Sequence, residues 1–100
     1  MSDDHDPSAA LLLAVVVEMA PDDVAAGHRY EDAVLALLGR HGGTLERRMR
    51  SLDASTEVHV IRFASEDGLA SFLADPQRLR LRAAVGDSAP TAHVHRVRDL

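Results

Sequence analysis

The pattern of apolar and polar positions predicts a buried strand and then an amphipathic helix at the start of the chain. Residues Leu11–Glu18 read LLLAVVVE, and a nearly unbroken apolar run that ends in three valines is typical of a central strand. Apolar side chains then recur every three or four positions between residues 26 and 38, as on one face of a helix. Pro21 suits the first helical turn, and Gly42 suits a helix end. We therefore expect a helix from residue 21 to residue 41.

The middle of the chain predicts a hairpin and a second helix. Residues 44–52 and 57–63 alternate between apolar and polar, and a short turn-forming segment separates them. Ser65 is a good N-cap for a helix, which Asp75-Pro76 interrupts and which we expect to continue to Val85. The expected buried stripe of this helix is Leu69, Phe72 and Leu73.

A last alternating segment, residues 91–98, completes the order strand, helix, strand, strand, helix, strand. Two right-handed strand–helix–strand crossovers form the ferredoxin-like split arrangement, an α+β fold with a four-stranded antiparallel sheet. In that fold the first and third strands are central, and the helices cover one face of the sheet. The other face still carries apolar side chains, among them Val58, Val60 and Val94 or its neighbours. We expect a second copy of the chain to cover this face in a homodimer.

Length and composition fit a single domain without a membrane segment. The chain has 100 residues, of which 46% are hydrophobic and 27% are charged. We expect residues 1–9 to be a disordered acidic tail and residues 10–100 to form the domain. The apolar run at residues 9–17 is too short to cross a bilayer, and the aspartates before it argue against a secretory signal. The expected location is the cytoplasm, with no membrane partner.

The balance of residue types excludes several kinds of site. The formal net charge is −5 and only 3% of the residues are aromatic, which argues against a nucleic-acid partner. On a helix Arg78 and Arg82 share a face but Arg80 points elsewhere, so these arginines make no single basic stripe. The chain has no cysteine, which excludes thiolate chemistry, and no lysine, which excludes a side-chain Schiff base.

The predicted third strand carries His59 and Arg62 on opposite faces, because their separation is odd. A buried arginine needs a carboxylate partner. If Ser51 pairs with Glu57 in the hairpin, Glu46 lies opposite Arg62. We therefore expect a cross-strand ion pair between Glu46 and Arg62 that faces the dimer interface.

His59 shares its face with Ile61 and Phe63, which indicates the side of the sheet covered by helices. The same hairpin register places Met49 opposite His59. A histidine in this position is either a hydrogen-bonded core residue or a catalytic acid or base.

His93 and His95 place both rings on one face of the last predicted strand. Such a pair can chelate a metal when further ligands converge on it, and His59 and Glu18 are the candidates. No sequence spacing ties these two residues to the pair. We expect a solvated strand face and no metal.

Three segments of the chain are similar to those of a known superfamily. Tyr30 lies in a helix that ends in HGG (residues 41–43), the third strand ends in IRFAS (residues 61–65), and the next helix reads GLASFLADP (residues 68–76). Over residues 11–98 this resembles the dimeric α+β-barrel superfamily, nearest to its small domains of unknown function and its antibiotic-biosynthesis monooxygenase group. The resemblance implies a homodimer with a small-molecule pocket between each sheet and its helices. Members of that superfamily include cofactor-free oxygenases, isomerases and haem-degrading enzymes.

The chain departs from the catalytic residues of that superfamily. The haem-degrading members rely on an asparagine, a tryptophan and a histidine, and the quinone-forming monooxygenases use asparagine and tryptophan beside a tyrosine. This sequence has neither asparagine nor tryptophan, so neither catalytic set is complete, and of the quinone-forming set only the tyrosine has a candidate here, Tyr30. What the resemblance implies is the fold, the dimer and the pocket. We expect neither haem nor flavin as a cofactor.

Two functions remain open from the sequence. In the first, the protein holds a small apolar or aromatic molecule between sheet and helices, as a cofactor-free monooxygenase or isomerase would. His59 would then be the acid or base, Tyr30 would orient the ligand, and Arg47 would meet an anionic group. In the second, the chain is a non-catalytic dimeric module whose polar strand residues satisfy one another. The other candidate ligand-binding residues are Met49, Arg62, His93 and His95.

Overall fold

A computed structural model describes residues 9–100 and gives four strands and three α-helices. The predicted acidic tail lies outside the described residues except for Ala9. In chain order the elements are β1 Leu11–Glu18, α1 Val24–Leu35, β2 Gly43–Arg50, β3 Thr56–Phe63, α2 Glu66–Leu73, α3 Pro76–Val85 and β4 Thr91–Val97. Among these residues, no helix is long and apolar enough to cross a bilayer.

The strands form one antiparallel sheet in the order β2-β3-β1-β4, which confirms the predicted ferredoxin-like α+β fold. β1 and β3 are the central strands, as their apolar composition indicates. In the register of the sheet Val15 of β1 lies between His59 of β3 and Val94 of β4. Since directly paired residues share a face, these three side chains point to the same side of the sheet.

The first helix is shorter than predicted. It begins after Asp23, whose side chain accepts a hydrogen bond from the backbone N–H of Ala26 at 3.1 Å. It ends at Leu35, and the chain tightens into a 3₁₀ turn, Leu38–His41, before Gly42 adopts a left-handed φ of 70°. Glycine takes that conformation without steric cost, so Gly42 ends the helical segment as predicted.

The hairpin forms, but its register differs from the prediction by one residue. Ser51 pairs with Thr56 through a backbone hydrogen bond of 2.9 Å, and Arg50 rather than Ser51 lies opposite Glu57. The turn sets this register, because Asp53 accepts hydrogen bonds from the side chain of Ser51 and from Ser55.

A one-residue change of register moves every side chain of a strand to the other face. Arg48 therefore lies opposite His59, and Met49 lies opposite Val58 on the far side of the sheet. The prediction that Met49 faces His59 is wrong for this reason. A β-bulge between Leu45 and Arg47 changes the alternation again further along β2.

The interruption predicted at Asp75-Pro76 separates α2 from α3. Asp75 caps α3 by accepting a hydrogen bond from the backbone N–H of Gln77 at 2.8 Å. Phe72 is buried and Leu69 packs against the core, but Leu73 is 47% exposed, so its predicted burial is wrong. Leu73 is the last residue of α2, and only Ala74 and Asp75 separate it from α3.

The helices cover one face of the sheet, and the core lies between them. Its sheet side is built from alternate residues of β1 and β3, among them Leu13, Val15, Ile61 and Phe63. The opposite face, here called the open face, has no helix of residues 9–100 against it. By the register, the apolar side chains of the open face are Leu12, Ala14, Val16, Met49, Val58, Val60 and Val97. The expectation that Val94 belongs to this face is wrong, because Val94 pairs with Val15 on the helix side; the valine that β4 contributes to the open face is Val97.

Candidate functional site

A cavity of about 580 Å³ lies between the sheet and the helices. Most of its wall is apolar, with Leu13, Val15 and Phe63 from the sheet and Val34 from α1. Its polar lining comes from four elements: Tyr30 and Glu31 of α1, His59 of β3, Arg78 and Arg82 of α3, and His95 and Arg96 of β4. A mostly apolar cavity with a few converging polar groups is typical of small-molecule sites.

The imidazole ring of His59 is hydrogen-bonded to the buried carboxylate of Glu57. The imidazole is 1% exposed, and its Nε2 lies 2.8 Å from Oε1 of Glu57, which is fully buried. Glu57 also accepts hydrogen bonds from Nε of Arg48 at 2.8 Å and from Nε of Arg50 at 2.9 Å. Burial would raise the pKa of Glu57, but these hydrogen bonds outweigh it and lower the pKa to about 2.

The ionised state of Glu57 determines which nitrogen of His59 carries the proton. A carboxylate can only accept, so Nε2 of His59 must be the donor. In the neutral imidazole the other nitrogen, Nδ1, is then a proton acceptor. Glu57 therefore orients the ring and would stabilise an imidazolium formed on it.

Glu31 is the second titratable group beside His59. Its Oε1 lies 3.9 Å from Nδ1 of His59, longer than a hydrogen bond. Burial and the negative charge of Glu57 raise the pKa of Glu31 to about 7, although Arg48 and the arginines of α3 oppose this. Near neutral pH the carboxyl group of Glu31 is thus populated in both its protonated and its ionised form, as acid–base catalysis requires.

Tyr30 and His59 line the same cavity, which the enzyme hypothesis requires. Both side chains are buried, at 7% and 1% exposure. Tyr30 belongs to the buried face of α1 with Gly27, Glu31 and Val34. The structure thus brings together the two residues predicted as catalytic, and their roles stay predictions.

Three predicted ligand-binding residues lie on the open face instead, outside the cavity. Arg47 pairs with Val60 and Met49 pairs with Val58, whose side chains point away from the helices. Arg62 forms the expected ion pair with Glu46, with 2.7 Å between Nε and Oε2, but the residue opposite Arg62 in the register is Thr44 and not Glu46. Strand alternation is the physical reason, since the register of β2 and β3 places these residues opposite the cavity side.

His93 and His95 also belong to the open face, beside Val16 and Ala14. Nε2 of His93 lies 3.0 Å from Oε2 of Glu18, so this candidate metal ligand is near the pair, whereas His59 is on the other side of the sheet. His95 also borders the cavity. Within residues 9–100 there is no group of three or more His, Asp or Glu side chains placed to hold a metal ion.

Solved structures of bacterial proteins share this architecture. SnoaB, a cofactor-independent oxygenase from Streptomyces nogalater, is similar with a TM-score of 0.70 and 16% identity, over 92% of this chain and 96% of that one. A proposed antibiotic biosynthesis monooxygenase from Caulobacter crescentus has a TM-score of 0.70 and 15% identity over 93% of each chain. The fold is that of the antibiotic-biosynthesis monooxygenase-like proteins.

The protein PA3566 from Pseudomonas aeruginosa is similar in structure too, with a TM-score of 0.72 and 17% identity over 94% of this chain and 97% of that one. The sequence matches no family model and no curated protein. At these identities the likeness to the monooxygenase-like structures concerns the fold, which the dimeric α+β-barrel superfamily shares.

Sequence reasoning missed two carboxylates in this monooxygenase-like fold, and a signal existed for both. Glu57 is two residues before His59 in a buried strand and so shares its face. Glu31 follows Gly27 by four residues and precedes Val34 by three, which places it in the buried stripe of α1. Their closeness to each other could not be read from the chain, because α1 and β3 are distant in sequence.

Proposed function

We propose that the protein is a cofactor-independent enzyme that moves a proton on a small apolar or aromatic molecule held in the cavity. The observation that carries this proposal is the buried row Glu57, His59 and Glu31 beside an otherwise apolar cavity. Glu57 holds His59 through Nε2, so we propose Nδ1 of His59 as the base and Glu31, 3.9 Å from it, as the acid.

In the proposed reaction Nδ1 of His59 takes a proton from a C–H or O–H group of the ligand, whose electron pair stays behind as an enolate or phenolate. The protonated carboxyl of Glu31 gives a proton to another atom of the same anion, so the net change is a tautomerisation. Proton exchange between His59 and Glu31 then restores the starting state. Tyr30 is proposed to orient the ligand from the wall of the cavity. The likeness in fold to a cofactor-independent oxygenase supports a chemistry without cofactor.

We also propose that the enzyme acts in the cytoplasm as a homodimer closed over the open face. The apolar residues of that face support this, because a soluble monomer seldom leaves so many neighbouring apolar side chains in water. A dimer formed through the open face would leave the cavity accessible to a ligand, because the cavity is on the other side of the sheet.

The test uses an aromatic ketone with an acidic C–H bond, 2-tetralone, as a probe of proton abstraction. Deuterium incorporation from D₂O is followed by NMR for the wild type, His59→Gln, Glu31→Gln and the matched control His93→Gln on the open face. We expect the wild type and His93→Gln to accelerate exchange, and the two cavity variants to lose about 100-fold or more of that rate. Exchange in the wild type at the buffer rate, or equal loss in His93→Gln, would contradict the proposed catalysis.

The alternative is a non-catalytic module, which the satisfied hydrogen bonds of Glu57 favour, since Arg48, Arg50 and His59 all donate to it. A binding assay separates this alternative from a small-molecule site. The neutral fluorophore N-phenyl-1-naphthylamine should enter the wild-type cavity and bind more weakly to Val94→Trp, which puts a larger side chain on the cavity wall. Leu79→Trp is the control, because Leu79 is 52% exposed on α3 and does not line the cavity.

A further inference from the structure

Arginine side chains of α3 line one wall of the cavity. Arg78 and Arg82 are one helical turn apart, and both border it. Arg96 of β4 borders it as well, but its guanidinium is paired with Glu66. Arg80, between the first two in sequence, is exposed and does not line the cavity. These arginines give one side of the cavity a positive charge, and the proposed proton transfer does not require that charge.

The guanidinium of Arg78 is fixed in place but incompletely hydrogen-bonded. It lies over the ring of Phe72, 5.3 Å from the centroid, and Nη1 donates to the carbonyl oxygen of Leu73 at 3.3 Å. Its Nε is buried and has no hydrogen-bond partner within residues 9–100. A buried N–H without an acceptor is costly, and carboxylates pair with arginine through two parallel N–H groups.

We propose that the cavity takes an apolar organic acid whose anionic group binds Arg78, supported by Arg82, and whose apolar body lies against Leu13, Val15 and Val34. This rests on the proposed function, because it names the class of molecule that the same cavity receives. Arg78 and Arg82 come from α3, and the acid–base groups come from α1 and β3. Most of the remaining side chains that line the cavity are apolar. A molecule with one charged end and an apolar body matches that distribution.

The proposal also explains how such a ligand is oriented. The cavity is large enough for a drug-sized molecule, and apolar contacts alone fix no direction. A planar guanidinium that is stacked on Phe72 and bound to a backbone carbonyl presents its remaining donors in a defined geometry. An anion bound there directs the rest of the molecule away from α3 and toward His59.

The first experiment compares three ligands of equal chain length in the wild type: decanoate, decan-1-ol and decylammonium. Each displaces N-phenyl-1-naphthylamine in a fluorescence titration at about pH 8, where the acid is ionised and the amine is protonated. We expect decanoate to bind about tenfold more tightly than the alcohol, and decylammonium to bind most weakly.

The second experiment repeats the titration with Arg78→Gln and with Arg80→Gln, which removes the same charge from the solvent side of the same helix. We expect Arg78→Gln to lose about tenfold in decanoate affinity and to keep its affinity for decan-1-ol, and Arg80→Gln to keep both. Thermal melts establish that each variant is folded. If Arg78→Gln does not fold, the order of the three ligand affinities in the wild type still tests the proposal.

Equal affinity for decanoate and decan-1-ol in the wild type would overturn the anion assignment and leave the proposed function intact. Equal losses in Arg78→Gln and Arg80→Gln would overturn it too, because the effect would then be one of net charge. If the wild type binds neither N-phenyl-1-naphthylamine nor any of the three ligands, the cavity is not a site for small apolar molecules. That result would contradict the proposed function as well.

Discussion

Glu57 is a carboxylate without exposed surface in the middle of a central strand, and its neighbours explain why it is tolerated there. An ionised group leaves water at a cost of several kcal/mol unless charges and hydrogen bonds replace its hydration. Arg48 and Arg50 supply two positive charges from the edge strand, and His59 supplies a third donor. The ion pair of Glu46 with Arg62, more than a third exposed on both sides, lies in water and contributes far less to stability.

Glu31 lacks a comparable set of donors, which makes its effect on stability depend on pH. Its pKa is about 7 in the folded protein against 4.5 for an unperturbed glutamate. The folded state therefore binds the proton more tightly than the unfolded state, and stability falls as pH rises through that window.

We expect Glu31→Gln to gain stability relative to the wild type between pH 4.5 and 7, by on the order of 3 kcal/mol, because the neutral amide needs no proton. Urea unfolding at pH 4.5 and pH 8 measures the difference. Glu46→Gln, which neutralises an exposed carboxylate, is the control, and the gain of Glu31→Gln between the two pH values should exceed any change that Glu46→Gln shows. A difference between Glu31→Gln and the wild type that does not change with pH would contradict the buried state of Glu31.

At the scale of elements, the 3₁₀ turn Leu38–His41 is joined to both short helices that follow the hairpin. His41 donates from Nε2 to Asp75 at 2.7 Å, and its ring meets Phe72 edge-on at 6.0 Å between centroids. This hydrogen bond lowers the pKa of Asp75, which also caps α3. His41 thus contacts α2 through Phe72 and the N-cap of α3 through Asp75, and α3 is the helix that carries Arg78 and Arg82.

Gly68 of α2 lies against that turn, so a substitution there tests how closely the helix and the turn pack. A Cβ at this position would collide with the carbonyl oxygen of His41, which belongs to the backbone and cannot swing away. We expect Gly68→Ala to destabilise the protein by about 1–3 kcal/mol, although alanine normally stabilises a helix relative to glycine.

Gly39→Ala is the matched control for this substitution. A Cβ at Gly39 meets nothing within 4 Å, so this variant should be as stable as the wild type or slightly more stable. Melting curves of the two variants side by side measure the contrast. A Gly68→Ala protein as stable as Gly39→Ala would show that the helix and the turn are not in close contact.

At the scale of the whole molecule, the sheet has two faces with different neighbours. One is covered by three helices and encloses the cavity. The open face carries its apolar residues together with the ion pairs Glu46–Arg62 and Glu18–His93. Such a mixture of apolar centre and polar surroundings is typical of interfaces between protein chains.

We expect the wild type to sediment as a homodimer at micromolar concentration and Val60→Arg to sediment as a monomer. Val60 lies on β3 in the middle of the open face and directly opposite Arg47, so a second positive charge buried there would weaken association about 100-fold or more. Leu79→Arg, on the solvent side of α3, is the control and should stay dimeric. A wild type that sediments as a monomer would contradict the proposed dimer.

Much of the fold could be predicted from the chain because each element carries a local signal. The valines of β1, the caps at Asp75 and Ser65, and Gly42 depend on neighbours close in sequence, and the order of elements leaves few arrangements of the sheet. The length of α1 and the exposure of Leu73 were missed, since both depend on how the ends of helices meet other elements.

The candidate site depended on contacts between distant segments. Period-two alternation was enough to place His59 on the helix side, but the hairpin register, set by the hydrogen bonds of Asp53, decided that Arg48 and not Met49 lies opposite it. The closeness of Glu31 to His59 and the turn of Arg78 toward the cavity arise only when α1, α3 and the sheet pack together. Local propensity acts within a few residues, whereas burial, charge pairing and the pKa of Glu31 are set by groups that the folded chain brings into contact.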